Sequence, residues 1–298
     1  MIAPTLPEKL RMGVTWRRIR NALHSPSLLW RNARFWWNDG VSSEQHIFVV
    51  GPPRSGTTLV KRIIESHSTV CGVGGETWFF LRRNYTDFRP PGVPAETMRH
   101  LIQGSESVVE LFDRFADTVK QQADATQFLE KSPEHALRIK WIIEHFPNST
   151  IVFVARDPRD GLRSAREHPA IWSTFPEEDR LGGYLAVWER SVQAYLHHAD
   201  HKSVLMVRYE DLCHETRKTV QTLMKSCDIG MEKQQLDPDV YGDTETSVSE
   251  THVRLKEPIT TESIGKWRQA LQKNEVARVE RTLAHEMRAL NYPLSTTE

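Results

Sequence analysis

Apolar residues gather in short uninterrupted runs along this chain. Four runs stand out: Ile47–Val50, Phe128–Leu129, Ile151–Ala155 and Val204–Val207. Continuous apolarity suits strands covered on both faces, as in a parallel sheet between helices. Between the runs the apolar spacing becomes helical. It predicts helices over Thr57–Ser66, Val108–Gln122, Pro133–His145 and Leu181–Ala199, with Pro133 at a first-turn position. Strand and helix therefore alternate, which predicts an α/β fold: a central parallel sheet flanked by helices, joined by right-handed crossovers. Residues 85–94 read as an irregular loop, and residues 228–262 as polar and mostly irregular. Two helical patterns close the chain. No repeat, low-complexity tract or linker interrupts it, so one domain is expected over residues 46–290.

Composition narrows the class. The chain has 298 residues, with 39 Lys+Arg against 39 Asp+Glu, so its formal net charge is zero. A nucleic-acid partner is not expected, because phosphate binding would show as a basic excess. No run of about 18 apolar residues exists, so no transmembrane helix is expected. The three cysteines (Cys71, Cys213, Cys227) have neither disulfide-framework nor metal spacing, so no structural metal is expected. Residues 1–45 differ from the rest. Lys9, Arg11, Arg17, Arg18, Arg20, Arg31 and Arg34 interleave with Trp16, Trp30, Trp36 and Trp37. The reading is a basic, Trp-rich arm or helix packed on the domain; the alternative is a peripheral membrane contact through residues 1–40. The first 25 residues hold no uninterrupted apolar segment, so no secretory signal and a cytoplasmic location are expected.

The first strand runs directly into Gly51-Pro-Pro-Arg-Ser-Gly56-Thr57-Thr58 and then into a helical pattern. A strand, a glycine-containing loop and a helix N-terminus make an anion cradle. Ser55, Gly56, Thr57 and Thr58 supply backbone and hydroxyl donors, and Arg54 supplies charge. The chain is thus P-loop-like. The nearest generic motif, Gly-x-x-x-x-Gly-Lys-Ser/Thr, fits Gly51 and Gly56, but Thr57 stands where its Lys belongs. A kinase needs that Lys and Mg²⁺ to offset a triphosphate. Its absence favours a less charged sulfuryl group over ATP, although a P-loop kinase of a small metabolite remains the alternative.

At these residues the chain resembles the sulfotransferases that use 3′-phosphoadenosine 5′-phosphosulfate (PAPS). PRSGTT, residues 53–58, is similar to their 5′-phosphosulfate loop, in the Arg-containing form of tyrosylprotein sulfotransferases. IVFVARDPRDGLRSA, residues 151–165, resembles their 3′-phosphate motif, with Arg156 and Ser164 in its two places. FLEKSPEH, residues 128–135, resembles a lysine-containing segment of carbohydrate and tyrosyl sulfotransferases, with Lys131 in the lysine place. VRYEDL, residues 207–212, carries over Tyr209 as a nucleotide-holding tyrosine. SIGKWRQAL, residues 263–271, resembles a segment that closes over the 3′-phosphate, with Lys266 and Trp267 as its Lys-Trp pair. The resemblance implies PAPS as co-substrate and no metal. It implies a hydroxyl acceptor on a saccharide, glycolipid or other metabolite, with protein-tyrosine sulfation as an alternative. The Arg54 loop departs from the cytosolic small-molecule branch, which disfavours a phenol or steroid. Oligomeric state is not legible.

Sulfuryl transfer needs a base for the acceptor hydroxyl, charge on the leaving oxygen, and in-line geometry. Arg54 and Lys131 can supply the charge. GVGGETWFF, residues 72–80, offers Glu76 as general base, and it resembles the segment whose Glu has that role in tyrosyl and heparan-type enzymes. A carboxylate with an ordinary value near 4.3 is ionised at neutral pH. His135 and Glu130 are rivals, but Glu130 should face away from Lys131 because neighbours alternate along a strand. A non-catalytic nucleotide-binding module would be favoured if Glu76 and Lys131 lay far from the loop. Acceptor loops are expected at residues 77–105, 166–182 and 236–260, with Trp78, Phe79, Phe80, Tyr85 and Phe88 as a candidate wall.

Overall fold

The computed structural model describes residues 35, 38, 40–82, 84–85, 88–241 and 257–295. The N-terminal arm, read either as packed on the domain or as a membrane contact, falls almost entirely outside them. Five strands form one sheet: β1 His46–Val50, β2 Val70–Gly72, β3 Gln127–Lys131, β4 Thr150–Ala155 and β5 Val204–Arg208. Their order is β2-β3-β1-β4-β5, and every neighbouring pair is parallel. The expected α/β architecture is therefore the observed one. β2 is the strand that the apolar pattern did not reveal, because three residues are too few to show a period.

Helices cover both faces. Those longer than one turn are α1 Thr57–Glu65, α2 Ala95–Gly104, α3 Val108–Ala123, α4 Ile139–His145, α5 Pro158–Arg166, α6 Arg180–Leu196, α7 Tyr209–His214, α8 Thr216–Ser226 and α9 Lys273–Ala289. The helix expected over 133–145 is split: Pro133–Arg138 winds as a 3₁₀ turn before α4 begins. Residues 95–104, expected as loop, form α2.

Alternation along the strands divides the core in two. Ile47 and Val49 pack with Val60, Ile63 and Ile64 of α1 and with Val220, Leu223 and Met224 of α8. Phe48 and Val50 face the other way, into an aromatic cluster with Phe79, Phe80, Phe112, Phe115, Phe128 and Phe146. Burying such side chains contributes about 1.5–3 kcal/mol each, which holds the sheet rigidly. β1 lies at the centre; the chain runs from it to β2 and β3 on one side and then crosses to β4 and β5 on the other. In open α/β sheets that switch point, at the strands' carboxyl ends, is where ligands bind.

Candidate active site

The loop after β1 is shaped by two left-handed residues, Arg54 (φ 66°) and Gly56 (φ 100°). Glycine at 56 serves the backbone angle and a close approach as well. A Cβ there would lie 2.6 Å from Cδ2 of the Tyr209 ring. The Gly51 N–H donates to the Pro133 carbonyl at 3.1 Å, which ties the loop's start to the end of β3. α1 then begins at Thr57 with no side chain capping it. Its first N–H groups thus keep the polarity that favours an anion. Ser55 and Thr57 are buried beside them, and the Ser55 hydroxyl has no partner within the protein.

A cluster of guanidiniums borders this loop. Arg54 Nε donates to Ser164 Oγ at 3.1 Å. Arg156 leaves the end of β4 and donates to the Arg54 carbonyl at 3.4 Å and to the Ser263 carbonyl at 2.9 Å. Its guanidinium lies over the Tyr209 ring, 4.3 Å from the centroid, and the Tyr209 hydroxyl is 2.7 Å from Ser263 Oγ. Arg54, Arg156, Ser164 and Tyr209 are thus drawn from three separate segments into one place. Lys266 arrives with the C-terminal segment. Asp160 on α5 accepts from the Gly265 and Trp267 N–H groups on either side of it, at 2.6 and 3.0 Å.

Arg163 joins the cluster and was not singled out from the sequence. Its motif holds arginines at 156, 159, 163 and 166, and only the packing of α5 distinguishes them. Arg159 is taken up by Asp157 and Glu280 and Arg166 by Glu275, while Arg163 Nη1 pairs with Glu167 at 2.6 Å. Burial, followed by the charge of Arg156, pushes Arg54 below the ordinary guanidinium value, and Arg163 adds to this. The Nε groups of Arg156 and Arg163 are buried without partners. Excess positive charge and unused donors, including Ser55 Oγ, fit an anionic nucleotide with phosphates at two ends.

Lys131 ends β3 opposite Val49 in register, one residue short of the point where β1 passes into the loop. Its Nζ donates to Glu76 Oε1 at 2.6 Å. Lys131 is buried and Glu76 half-buried. Glu76 follows β2 by four residues, at the same edge of the sheet. It does not open a helix. Residues 76–78 are irregular, and only a three-residue 3₁₀ turn, Phe79–Leu81, follows.

Glu130 faces away from Lys131, as strand alternation predicts, and it is fully buried. Its carboxylate accepts from Thr77 Oγ1 at 2.7 Å, from Ser132 Oγ at 2.5 Å and from His135 Nδ1 at 2.8 Å. His135 Nε2 accepts from the Phe80 N–H at 3.1 Å, so the ring proton sits on Nδ1. Burial would raise the Glu130 carboxyl, but His135, Ser132 and Thr77 together hold it below its ordinary value. Both rivals to Glu76 are therefore fully engaged in the core. Ser132 Oγ also accepts from the Trp78 N–H at 2.9 Å, so this network positions the segment that carries Glu76.

Among the described residues no helix is long and apolar enough to cross a membrane. Residues 46–233 match the model of a family described as the sulfotransferase family. An uncharacterised protein of Aquifex aeolicus is 24% identical over 245 residues, 77% of this chain. This chain spans only 31% of that protein's length. Protein-tyrosine sulfotransferase 1 of Danio rerio is 23% identical over 244 residues, which cover 74% of this chain and 65% of that one. A crystal structure of a mouse sulfotransferase complexed with PAP superposes with a TM-score of 0.56 at 14% identity, covering 91% of this chain and 93% of the other.

Proposed function

The chain belongs to the sulfotransferase family, and from that premise we propose that it transfers the sulfuryl group of PAPS to an acceptor hydroxyl, with Glu76 as general base. The observation that carries this reading is the Glu76–Lys131 pair, 2.6 Å apart, at the end of the strand beside the anion-binding loop. A purely structural nucleotide module has no use for a carboxylate and a lysine held together at that edge.

Glu76 takes the proton from the acceptor O–H. The acceptor oxygen attacks sulfur, the bond from sulfur to the 5′-phosphate oxygen breaks, and the leaving nucleotide keeps the electron pair. Negative charge grows on that leaving oxygen, where Arg54, Lys131 and the first N–H groups of α1 can meet it. Ser55, Gly56, Thr57 and Thr58 cradle the 5′ end. Arg156, Ser164, Tyr209 and Lys266 surround the 3′-phosphate. PAPS as co-substrate is supported by the paired anion sites and by the mouse sulfotransferase solved with PAP. A saccharide, glycolipid or other metabolite is the acceptor class. The tyrosyl hydroxyl belongs in the same screen, because a relative is named for it.

The test is a screen of acceptors with labelled PAPS, followed by Glu76→Gln. The variant keeps the hydrogen bond to Lys131 but cannot take the proton. Single-turnover rate should fall by about 10²–10⁴ while affinity for adenosine 3′,5′-bisphosphate stays within twofold. A near-parental rate would remove Glu76 as the base.

A further inference from the structure

The segment after Glu76 carries five aromatic residues that the sequence offers as one wall, and the structure separates them. Phe79, Phe80, Tyr85 and Phe88 are fully buried in the aromatic core. Trp78 is 41% exposed. Its backbone is left-handed (φ 47°), a conformation that costs a non-glycine residue about 1–3 kcal/mol and persists only where the surroundings enforce it.

Here the surroundings do. The Trp78 N–H donates to Ser132 Oγ at 2.9 Å, and the indole Nε1–H donates to Glu134 Oε2 at 3.0 Å. Burial, and after it the negative charge of Glu76, pushes the Glu134 carboxyl above its ordinary value, so Glu134 is electrostatically coupled to Glu76. Leu137 is 44% exposed and stands three residues beyond Glu134 on the same 3₁₀ turn. Residues three apart eclipse in that geometry, so Leu137 extends the Glu134 side of the turn. A locked indole with an exposed aliphatic neighbour therefore stands two residues from the Glu76–Lys131 pair. Single exposed apolar residues are ordinary on protein surfaces, but an indole fixed at both backbone and ring beside a reactive pair is not explained by that.

We propose that Trp78, oriented by Glu134, is the platform on which the acceptor lies, and that the acceptor presents a flat apolar ring face with its reacting hydroxyl at the ring's edge, toward Glu76. This rests on the sulfotransferase reading above. An indole face recognises that shape by stacking, whether the ring is aromatic or the C–H face of a pyranose. A flexible alkyl alcohol gains much less from it.

The experiment measures steady-state kinetics with three probe acceptors: 2-naphthol, methyl β-D-galactopyranoside and 1-pentanol. Calorimetry with adenosine 3′,5′-bisphosphate accompanies it. Trp78→Ala should raise KM about tenfold for a ring acceptor, lower kcat less than threefold, and leave nucleotide affinity unaltered. Trp78→Phe should restore most of the loss, and Leu137→Gln should raise KM about threefold without touching the strained backbone. The ring probe that responds tells an aryl acceptor from a saccharide. A KM within twofold of the parent for both ring probes in Trp78→Ala would overturn the proposal. So would sulfation of 1-pentanol in preference to both rings, or failure of both rings in a protein that binds the nucleotide. If the parent binds no nucleotide, the sulfotransferase reading itself falls, and that outcome is read separately by calorimetry.

Discussion

Arg54 and Arg156 touch one another yet should fail differently when removed. Arg54 sits in the loop proposed to hold the reacting end of PAPS, and its guanidinium is buried, with the like charge of Arg156 beside it. Arg54→Ala should lower kcat by about 10²–10³, the usual effect of losing one donor to a transition-state oxyanion. Turnover within a few-fold of the parent, measured under saturating PAPS, would take Arg54 out of the chemistry. Arg156 instead stacks on Tyr209 and reaches the Ser263 carbonyl. Arg156→Ala should weaken adenosine 3′,5′-bisphosphate by about 10- to 150-fold, since a charged hydrogen bond contributes about 1.5–3 kcal/mol. Adenosine 5′-phosphate should bind parent and variant alike. Equal losses for the two nucleotides in calorimetry would contradict the 3′-phosphate assignment.

Elements place these residues, and the end of β3 shows how. Its last two residues point to opposite faces. Lys131 turns toward α1 and pairs with Glu76, while Glu130 turns into the core, where it receives three hydrogen bonds. All three partners donate, so a glutamine in its place would set an N–H against a donor. Glu130→Gln should therefore cost roughly 2–4 kcal/mol at pH 7, as unsatisfied buried groups do. The pH dependence has a definite sign. The folded carboxyl lies below its ordinary 4.5, so its contribution is complete above 4.5 and is lost as pH falls through the lower folded value. Urea unfolding should show the gap between parent and variant at pH 7 narrowing toward pH 3. A gap that is constant with pH would mean that folding does not lower the Glu130 carboxyl.

Across the whole molecule, residues 263–289 are fastened by α5 at the carboxyl end of β4. Arg159, almost fully buried, pairs with Asp157 and with Glu280 of α9, and its guanidinium lies 4.1 Å from the Trp267 ring centroid. Asp160 binds the backbone on both sides of Lys266. Helix α9 is further held by Arg166–Glu275 and by Arg278–Asp179. Arg159→Met should destabilise the fold by about 3–5 kcal/mol, because two carboxylates lose a shared buried partner. Thermal unfolding checks this. Adding Glu280→Gln should return part of the loss, and strict additivity of the two changes would show that they are not coupled.

The sequence alone determined what short-range patterns encode. Four strands and the main helices follow from apolar period, because burial of one face demands it. The anion loop follows from glycines, hydroxyls and Arg54 at a strand end, and Arg156 and Ser164 stand eight residues apart on consecutive elements. What joins distant segments was decided by strand order. Glu76 meets Lys131 across 55 residues because β2 lies next to β3, and β2 is too short to announce itself. His135 Nε2 is occupied by the Phe80 N–H, which arrives from another turn of chain. Arg163 differs from Arg159 and Arg166, which pair with carboxylates of α9, in pairing with Glu167 one turn on and keeping a buried, unpartnered Nε. Among five aromatic residues, four are absorbed by the core, and Trp78 stays exposed because Ser132 and Glu134 hold it there. Such outcomes depend on which surfaces the sheet brings together, and a local pattern carries no record of that.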